Sequence, residues 1–162
     1  YMRVPANVAV RLPSTLSMED GALIEPLAIC RYGVGQANMR AGARVLVLGG
    51  GSIALCTIWW ARALGAGRIV AASRSQRRAD EAGEIVEALG GPPELVFECV
   101  GNPGFLGRAV QHVEKFGQVL SLGFCTSPDA LVPALAAMKA VTLRFPVGYT
   151  LADFEAVARD MD

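Results

Sequence analysis

The sequence predicts an α/β fold in which a parallel β-sheet is covered by helices on both faces. Three observations predict this class. Short β-branched runs alternate with longer alanine-rich runs, glycines separate the runs, and the clearest strand is apolar on both faces, as a central parallel strand is. The chain has 162 residues, of which 52% are hydrophobic and 19% charged, so it is long enough for one domain with a substantial core.

The charge balance and the cysteines narrow the class of protein further. The 15 basic and 15 acidic residues cancel, and a neutral chain has no overall field that attracts nucleic-acid phosphates or anionic lipid. We therefore expect no nucleic-acid or membrane partner. No apolar stretch approaches the roughly 18 residues that span a bilayer, and no secretory signal is visible. Cys30, Cys56, Cys99 and Cys125 lack zinc-site spacing and are predicted to be buried thiols, which favours a cytoplasmic protein.

The first βαβ unit is the best-defined part of the pattern. Arg44–Leu48 is predicted to be a strand that runs directly into three glycines, and a helix is predicted over residues 52–64. Gly65 and Gly67 end this helix, and Arg68–Ala72 is predicted to be the second strand. A parallel pair joined by one helix follows.

The alternation continues in the second half of the chain. Strands are predicted at residues 95–99, 117–122 and 141–145, and helices at residues 105–113 and 151–161. Thr150 is placed to cap the last helix, with Asp153 in its first turn. Gly101 and Gly123 follow two of the predicted strands. They are therefore expected at the carboxyl edge of the sheet, where open α/β sheets bind ligands.

The N-terminal part begins with a separate helix signal. Ser17 is a candidate N-cap followed by two acidic residues, and an apolar run leads on to Ala28. Pro26 is expected to kink or interrupt this helix. Glu25 lies inside the apolar run, and a buried carboxylate there would need a partner, because an unpaired buried charge costs several kcal/mol.

The glycine turn after the first strand has the form G-x-G-x-x-A. Gly49 permits the tight turn, Gly51 lets the backbone approach a pyrophosphate, and Ala54 lets the helix pack close to the sheet. The free N–H groups and the dipole at the start of the helix would hold the pyrophosphate. Because strand, turn, helix and second strand occur in the required order, the sequence predicts a Rossmann dinucleotide-binding fold, with a doubly wound parallel sheet.

The residues after the second strand favour NADP over NAD, although NAD is also compatible with the fold. An NAD site has an acidic residue about 20 residues past the glycine turn, where it binds the adenosine ribose. Here Ser73, Arg74 and Arg78 occur instead. A hydroxyl and guanidinium groups suit an adenosine 2′-phosphate, which a carboxylate would repel. The other interpretation is a solvated helix start with ordinary surface arginines.

Four stretches together resemble the medium-chain dehydrogenase/reductase family, in its zinc-type alcohol and polyol dehydrogenase branch, which includes sorbitol and threonine dehydrogenases. They are residues 22–28, 45–51, 97–103 and 117–123. Lys139 and residues 149–154 are also similar to the family. The resemblance covers nearly the whole chain in order and approximate spacing, and it is more specific than the glycine turn alone.

The resemblance implies an oxidoreductase that transfers hydride between a nicotinamide cofactor and a small alcohol, polyol or ketone. It leaves three roles for Glu25: a ligand of a catalytic zinc, a neighbour of the zinc, or a structural residue. It also implies three groups of cofactor residues. These are Gly49, Gly51, Ser52 and Ile53 for the pyrophosphate; Ser73, Arg74 and Arg78 for the 2′-phosphate; and Cys99, Val100, Gly101, Gly123 and Phe124 for the ribose and nicotinamide.

Measured against the family, the chain is expected to be a fragment that lacks the N-terminal catalytic domain and is inactive alone. Residues 1–20 would connect to that domain, and residues 21–162 would form the cofactor domain. The stretch between Arg78 and Leu95 is short for the family, with a deletion or omitted residues expected near residues 82–83. We expect a homo-oligomer joined through an edge strand, for which residues 141–145 are the candidate.

Three other functions fit parts of the pattern. A zinc-independent quinone-type reductase of the same superfamily would not require Glu25. A non-catalytic nucleotide-binding module would keep the fold without the activity. A methyltransferase would need an acidic residue after the second strand, where Ser73 and Arg74 stand. His112 has no nucleophile or metal spacing around it and is interpreted as a surface histidine.

Overall fold

The computed structural model of the chain describes residues 3–73 and 81–162, and these residues form a five-stranded parallel β-sheet. The strands are β1 (Arg44–Leu48), β2 (Arg68–Ala72), β3 (Leu95–Glu98), β4 (Gln118–Ser121) and β5 (Thr142–Arg144). The helices are α1 (Met18–Gly21), α2 (Ile24–Gly35), α3 (Ser52–Ala63), α4 (Glu81–Leu89), α5 (Phe105–His112), α6 (Pro133–Lys139) and α7 (Leu151–Asp160). The predicted α/β class and all the predicted strands are confirmed, with ends that differ by at most one residue.

Helices cover both faces of the sheet, so the core has two halves. On one face α2, α3 and α7 pack on the sheet around Phe97, which is fully buried. On the other face α4, α5 and α6 pack around Leu46 and Val96, which are also fully buried. The side chains of β1 alternate between the two halves, with Val45 and Val47 on the first face. This explains why β1 is apolar along its whole length.

The strand order is β2-β1-β3-β4-β5, with every neighbouring pair parallel. A six-stranded doubly wound sheet has the order 3-2-1-4-5-6, so the observed order matches one without the outermost strand beyond β2. The helix α4 includes Ala82 and Gly83 and leads to β3 through residues 90–94. In the described part of the chain, β2 is therefore an edge of the sheet. The boundary between residues 1–20 and 21–162 stays a prediction.

The N-terminal helices differ from the expected single kinked helix. The helix α1 ends at Gly21, and α2 begins at Ile24, so the interruption precedes Pro26. Pro26 is the third residue of α2. The N–H groups of a first helical turn have no acceptor within the helix, so a proline there loses no hydrogen bond. The predicted Ser17 cap is confirmed, since its side chain accepts from the Asp20 N–H at 3.0 Å.

The helix α6 was not predicted, although its sequence carries a recognisable signal. Pro133 occupies its first turn, and an alanine-rich run follows. Its last residue, Lys139, donates three hydrogen bonds from Nζ to carbonyls at the end of α5, those of Val110, Gln111 and Val113, at 3.0, 2.6 and 2.8 Å. Lys139 thus caps the C-terminal end of α5, which lies far from it in the sequence. No helix of the described residues is long and apolar enough to cross a membrane.

Asp153 ties α7 to α2 and makes the stability of this helix pair dependent on pH. Its carboxylate accepts hydrogen bonds from Thr150 and, at 2.7 Å, from the guanidinium of Arg31 on α2. Burial acts to raise the pKa of Asp153, but the Thr150 and Arg31 contacts outweigh it and hold this pKa below its ordinary value of 3.8. A lowered pKa in the folded state contributes stability above the unfolded pKa and loses it as the pH falls.

We therefore expect Asp153→Asn to lower the free energy of unfolding by about 1 kcal/mol at pH 7. The difference from the wild type should shrink as the pH falls below about 4. Urea denaturation between pH 7 and pH 3 measures this. Glu155→Gln removes a carboxylate from the same helix and serves as the control. An Asp153→Asn difference that is equally large at both ends of the pH range would contradict the assignment.

Candidate functional site

A crevice forms at the carboxyl ends of the strands, between β1 and β3. From β1 the chain continues to β2 on one side, and it later enters β3 on the other side, so the loops after β1 and β3 diverge. The two loops touch at their first residues. A Cβ atom built on Gly49 would lie 3.3 Å from both the Cβ atom and the carbonyl oxygen of Cys99. Open α/β sheets bind their ligands at such a point.

The glycine turn after β1 has the backbone that its sequence predicts. Gly49 has a φ of 132°, which L side chains rarely adopt, and its N–H donates to the Ala72 carbonyl at 2.8 Å. Ala54 is fully buried, and its Cβ lies 3.4 Å from the Cβ position of Gly49. A larger residue at either position would push α3 away from the sheet. The two small residues therefore allow the close approach of helix and turn.

Gly51 and the first turn of α3 leave an open place for an anion. Gly51 is the N-cap of α3, and as a glycine it has no side chain to accept hydrogen bonds from the first-turn N–H groups of Ile53 and Ala54. A Cβ atom on Gly51 would meet no atom within 4 Å, so the space there is open. Free N–H groups and the positive end of a helix dipole together stabilise a phosphate in such a place.

The end of β2 lies beside the same turn. The Cβ atom of Ser73 is 3.3 Å from the Cβ position of Gly50, so Ser73 is adjacent to the glycine turn. Arg74 and Arg78, which are predicted to meet a 2′-phosphate with Ser73, lie outside the described residues. The grouping of Ser73 with the glycine turn is thus observed, and the arginine contribution stays a prediction.

The turns after β3 and β4 are packed backbone against backbone. A Cβ atom on Gly101 would lie 1.8 Å from the carbonyl oxygen of Gly123, and one on Gly123 would lie 2.1 Å from the Gly101 nitrogen. Gly101 also has a φ of 71°. Glycine is required at both positions because no side chain fits between the two turns. This contact brings Val100 and Phe124, two further predicted cofactor residues, to the same edge of the sheet.

Glu98, the last residue of β3, was missed in the sequence although it holds these turns together. It is 2% exposed. Its Oε1 accepts hydrogen bonds from the N–H groups of Val100 and Gly101 at 2.7 and 2.8 Å, and its Oε2 accepts one from the Ser121 hydroxyl at 2.8 Å. The available signal was an acidic residue in a four-residue strand whose other residues are apolar. Such a residue must have partners at the strand end.

A cleft of about 660 Å³ opens over these turns. Ile53, Gly123 and Phe124 are the predicted cofactor residues that line it, together with Glu98 and Ser121. The other described cofactor residues lie in the adjoining turns and are not part of the lining: Gly49, Gly51, Ser52, Ser73, Cys99, Val100 and Gly101. Residues 145–148, after β5, form a further wall that the sequence did not indicate. The volume falls within the range of small-molecule sites.

The four cysteines are free thiols, but only Cys30 is fully buried as predicted. Cys56, Cys99 and Cys125 are half-buried. The buried hydroxyl of Thr57 lies 3.6 Å from the sulfur atoms of both Cys30 and Cys99. Burial raises the pKa of Cys30 and the pKa of Cys99 to about 12 each, so both stay protonated at neutral pH. Neither is a nucleophile under these conditions.

Glu25 is exposed, so the expectation that it is a buried charge in need of a partner is wrong. It lies on the first turn of α2, and that helix buries Ile24 and Ala28 instead. Within residues 3–73 and 81–162, no group of three His, Cys, Asp or Glu side chains is arranged to hold a metal ion. The described residues therefore do not form a zinc site, and Glu25 can contribute to one only with ligands from outside them. His112, at the end of α5, does not line the cleft.

Comparison with known proteins finds similar sequences among butanediol and sorbitol dehydrogenases. No family model matches the chain. The (R,R)-butanediol dehydrogenase of Bacillus subtilis is 31% identical over 166 residues, which cover 92% of this chain and 48% of the relative. The sorbitol dehydrogenase of Bos taurus is 28% identical over 159 residues, which cover 86% of this chain and 45% of the relative. The chain spans about half the length of the curated relatives that it matches.

Solved structures show the same arrangement. The crystal structure of 2R,3R-butanediol dehydrogenase from Bacillus subtilis superposes with a TM-score of 0.80 at 29% identity, over 94% of this chain and 48% of that one. A Sinorhizobium meliloti protein described as a zinc-binding dehydrogenase and bound to NADP has a TM-score of 0.74 at 23% identity, over 93% of this chain and 51% of that one. An Escherichia coli alcohol dehydrogenase complexed with NADH has a TM-score of 0.80 at 20% identity, over 96% of this chain and 51% of that one. At these last two identities the likeness concerns the fold alone.

Proposed function

Because the chain belongs to the medium-chain dehydrogenase/reductase family and matches about half the length of its zinc-type members, we propose that it is the cofactor-binding part of an alcohol or polyol dehydrogenase. The observation that carries this proposal is the continuity between the glycine turn and the cleft. Ile53 belongs to the first turn of α3, beside the open place at Gly51, and it also lines the cleft. A dinucleotide with its pyrophosphate at Gly51 therefore extends into the cleft.

The described residues fit such a cofactor in two ways. The open space over Gly51 suits a pyrophosphate, and the cleft beyond it is lined mainly by apolar side chains such as Leu122 and Phe124, which suit the nicotinamide ring. When bound, the cofactor supplies the hydride acceptor or donor. The residues of this chain bind and orient it, and the apolar cleft walls exclude water.

The finer proposal is a preference for NADP. Ser73 stands at the end of β2 beside the glycine turn, where an NAD site has an acidic residue, and Arg74 and Arg78 follow it in the sequence. A hydroxyl and guanidinium groups bind a 2′-phosphate better than they bind a free ribose hydroxyl.

We propose that the whole protein acts on a small alcohol, polyol or ketone, and that it is a cytoplasmic homo-oligomer. Its zinc is held mainly by residues outside this chain, and three roles stay open for the exposed Glu25: a further ligand, a neighbour of the metal or a structural residue. Since the described residues form no zinc site, the chain alone is expected to bind cofactor without turnover.

Calorimetric titration of the chain with NADPH and NADH at the same salt concentration tests the proposal. We expect NADPH to bind at least about tenfold more tightly, a gap of about 1.4 kcal/mol. Tighter binding of NADH would overturn the NADP preference and leave the binding function in place. Binding of neither cofactor would overturn the function itself.

The Gly51→Ala variant shows whether the cofactor occupies the proposed place. The added methyl meets no protein atom within 4 Å, and the φ of −86° at Gly51 suits alanine, so the free energy of unfolding should change by less than about 0.5 kcal/mol. Affinity for both cofactors should fall about tenfold or more, because the methyl takes the space of the pyrophosphate. Gly35→Ala, also in open space but on α2, is the matched control and should leave the affinity unchanged.

A further inference from the structure

Glu98 puts a carboxylate at the wall of the cleft, where it accepts hydrogen bonds from the turns around it. The three hydrogen bonds to it come from two backbone N–H groups and one hydroxyl, so it acts as an acceptor in all of them. An ionised carboxylate is an acceptor only, and this set of donors suits it. Glu98 lines the cleft although it is only 2% exposed.

Glu98 forms no ion pair within residues 3–73 and 81–162. The ion pairs found there include those of Asp153, Glu94 and Glu114 with arginines. The neighbours of Glu98 in the lining are mostly apolar, among them Ile53 and Leu122, and the other charged residue there, Asp129, is also acidic. A charge in such surroundings is weakly screened, so its field reaches into the cleft.

From this geometry we infer that Glu98 makes the cleft selective for the redox state of the cofactor. The inference rests on the proposed function, in which the nicotinamide ring occupies this cleft. The oxidised ring carries a positive charge and the reduced ring is neutral. Glu98 therefore stabilises the oxidised form and has little effect on the reduced form. No bond is made or broken in this step, since the effect is one of differential binding.

The consequence concerns loading and release. An oxidised cofactor is held by the Glu98 charge, and once it has accepted hydride it loses that attraction. The reduced form then leaves more readily than the oxidised form does. Glu98 thus has two roles, since the same carboxylate that positions the turns at Val100 and Gly101 also favours binding of the oxidised cofactor over the reduced one.

Glu98→Gln separates the charge from the hydrogen bonds. The glutamine Oε1 can accept from the N–H groups of Val100 and Gly101, and its amide can donate to the Ser121 hydroxyl, which is able to accept. Dissociation constants of NADP⁺ and NADPH are measured for the wild-type chain and the variant. We expect the affinity for NADP⁺ to fall about tenfold and the affinity for NADPH to change less than about twofold.

Two controls and a second measurement complete the test. Glu19→Gln makes the same chemical change at an exposed residue of α1 and should leave the ratio of the two constants unchanged. Ser121→Ala removes one hydrogen bond and keeps the charge, so any loss should be equal for both forms. If Glu98→Gln does not fold, the wild type is titrated with a dinucleotide whose ring is a neutral benzamide. The wild-type chain should bind NADP⁺ about tenfold more tightly than it binds this analogue.

The outcomes distinguish this inference from the proposed function. The inference is supported if the affinity for NADP⁺, relative to the affinity for NADPH, falls in Glu98→Gln and in neither control variant. Equal losses for the oxidised and reduced forms would mean that Glu98 only positions the turns, and equal affinity of the wild type for NADP⁺ and the benzamide analogue would also overturn the inference. A wild-type chain that binds neither form overturns the proposed function, and this inference with it.

Discussion

Gly101→Ala should lower the free energy of unfolding by about 4 kcal/mol or more, which is a large part of the stability of an ordinary domain. The added methyl would lie 1.8 Å from the carbonyl oxygen of Gly123, which is backbone and cannot rotate away. The φ of 71° adds strain for any L side chain. To relieve the clash, the turns after β3 and β4 must separate and break the hydrogen bonds to Glu98. Urea denaturation followed by circular dichroism measures the loss.

Gly35→Ala is the control for this experiment. Gly35 is the exposed last residue of α2, and a Cβ atom there meets nothing within 4 Å. Its replacement should leave the free energy of unfolding unchanged or raise it by up to about 1 kcal/mol, because alanine has less backbone freedom to lose. A Gly101→Ala variant that unfolds at the wild-type urea concentration would show that the two turns do not touch in solution.

Phe97→Ala should lower the free energy of unfolding by about 3–5 kcal/mol. Phe97 is the largest fully buried side chain of the chain's described part, and it lies on β3, between β1 and β4, under the face covered by α2, α3 and α7. Removal of the ring loses its burial and leaves a cavity that strands bonded on both sides cannot easily close. Equilibrium denaturation in urea is again the measurement.

Phe116→Ala is the matched control, since it deletes the same side chain from a position that is 81% exposed. We expect a change of less than about 0.5 kcal/mol. Equal losses in the two phenylalanine variants would contradict the assignment of Phe97 to the core. A small loss in both would mean that the core around β3 can repack around the missing ring.

The parts of the structure that were predictable are those set by neighbours along the chain. The strand Arg44–Leu48 and the strand Arg68–Ala72 have the predicted bounds, and the helix between them ends one residue early. The Thr150 cap of α7 is confirmed, with a hydrogen bond of 3.1 Å from the Asp153 N–H. Helix caps, glycine turns and apolar alternation act within a few residues, so a sequence pattern contains them.

The candidate site was only partly predictable. The glycine turn at Gly49 and Gly51 was predictable, because dinucleotide binding requires a particular local backbone shape. The role of Glu98 in holding the turns together was not predictable, because one of its hydrogen-bond donors, Ser121, lies on the neighbouring strand β4. The wall formed by residues 145–148 is likewise brought to the cleft by the pairing of β5 with β4.

By itself, the sequence determined the α/β class, the first βαβ unit and the place of the glycine turn that marks a dinucleotide site. Tertiary structure alone decided that Glu25 is exposed and Glu98 buried, although both carboxylates lie among apolar residues in the sequence. The reason is that burial depends on which elements pack together. The N-terminal turn of α2 leaves Glu25 at the surface, whereas the end of β3 lies between two other strands, and Glu98 stays there because Val100, Gly101 and Ser121 satisfy its carboxylate.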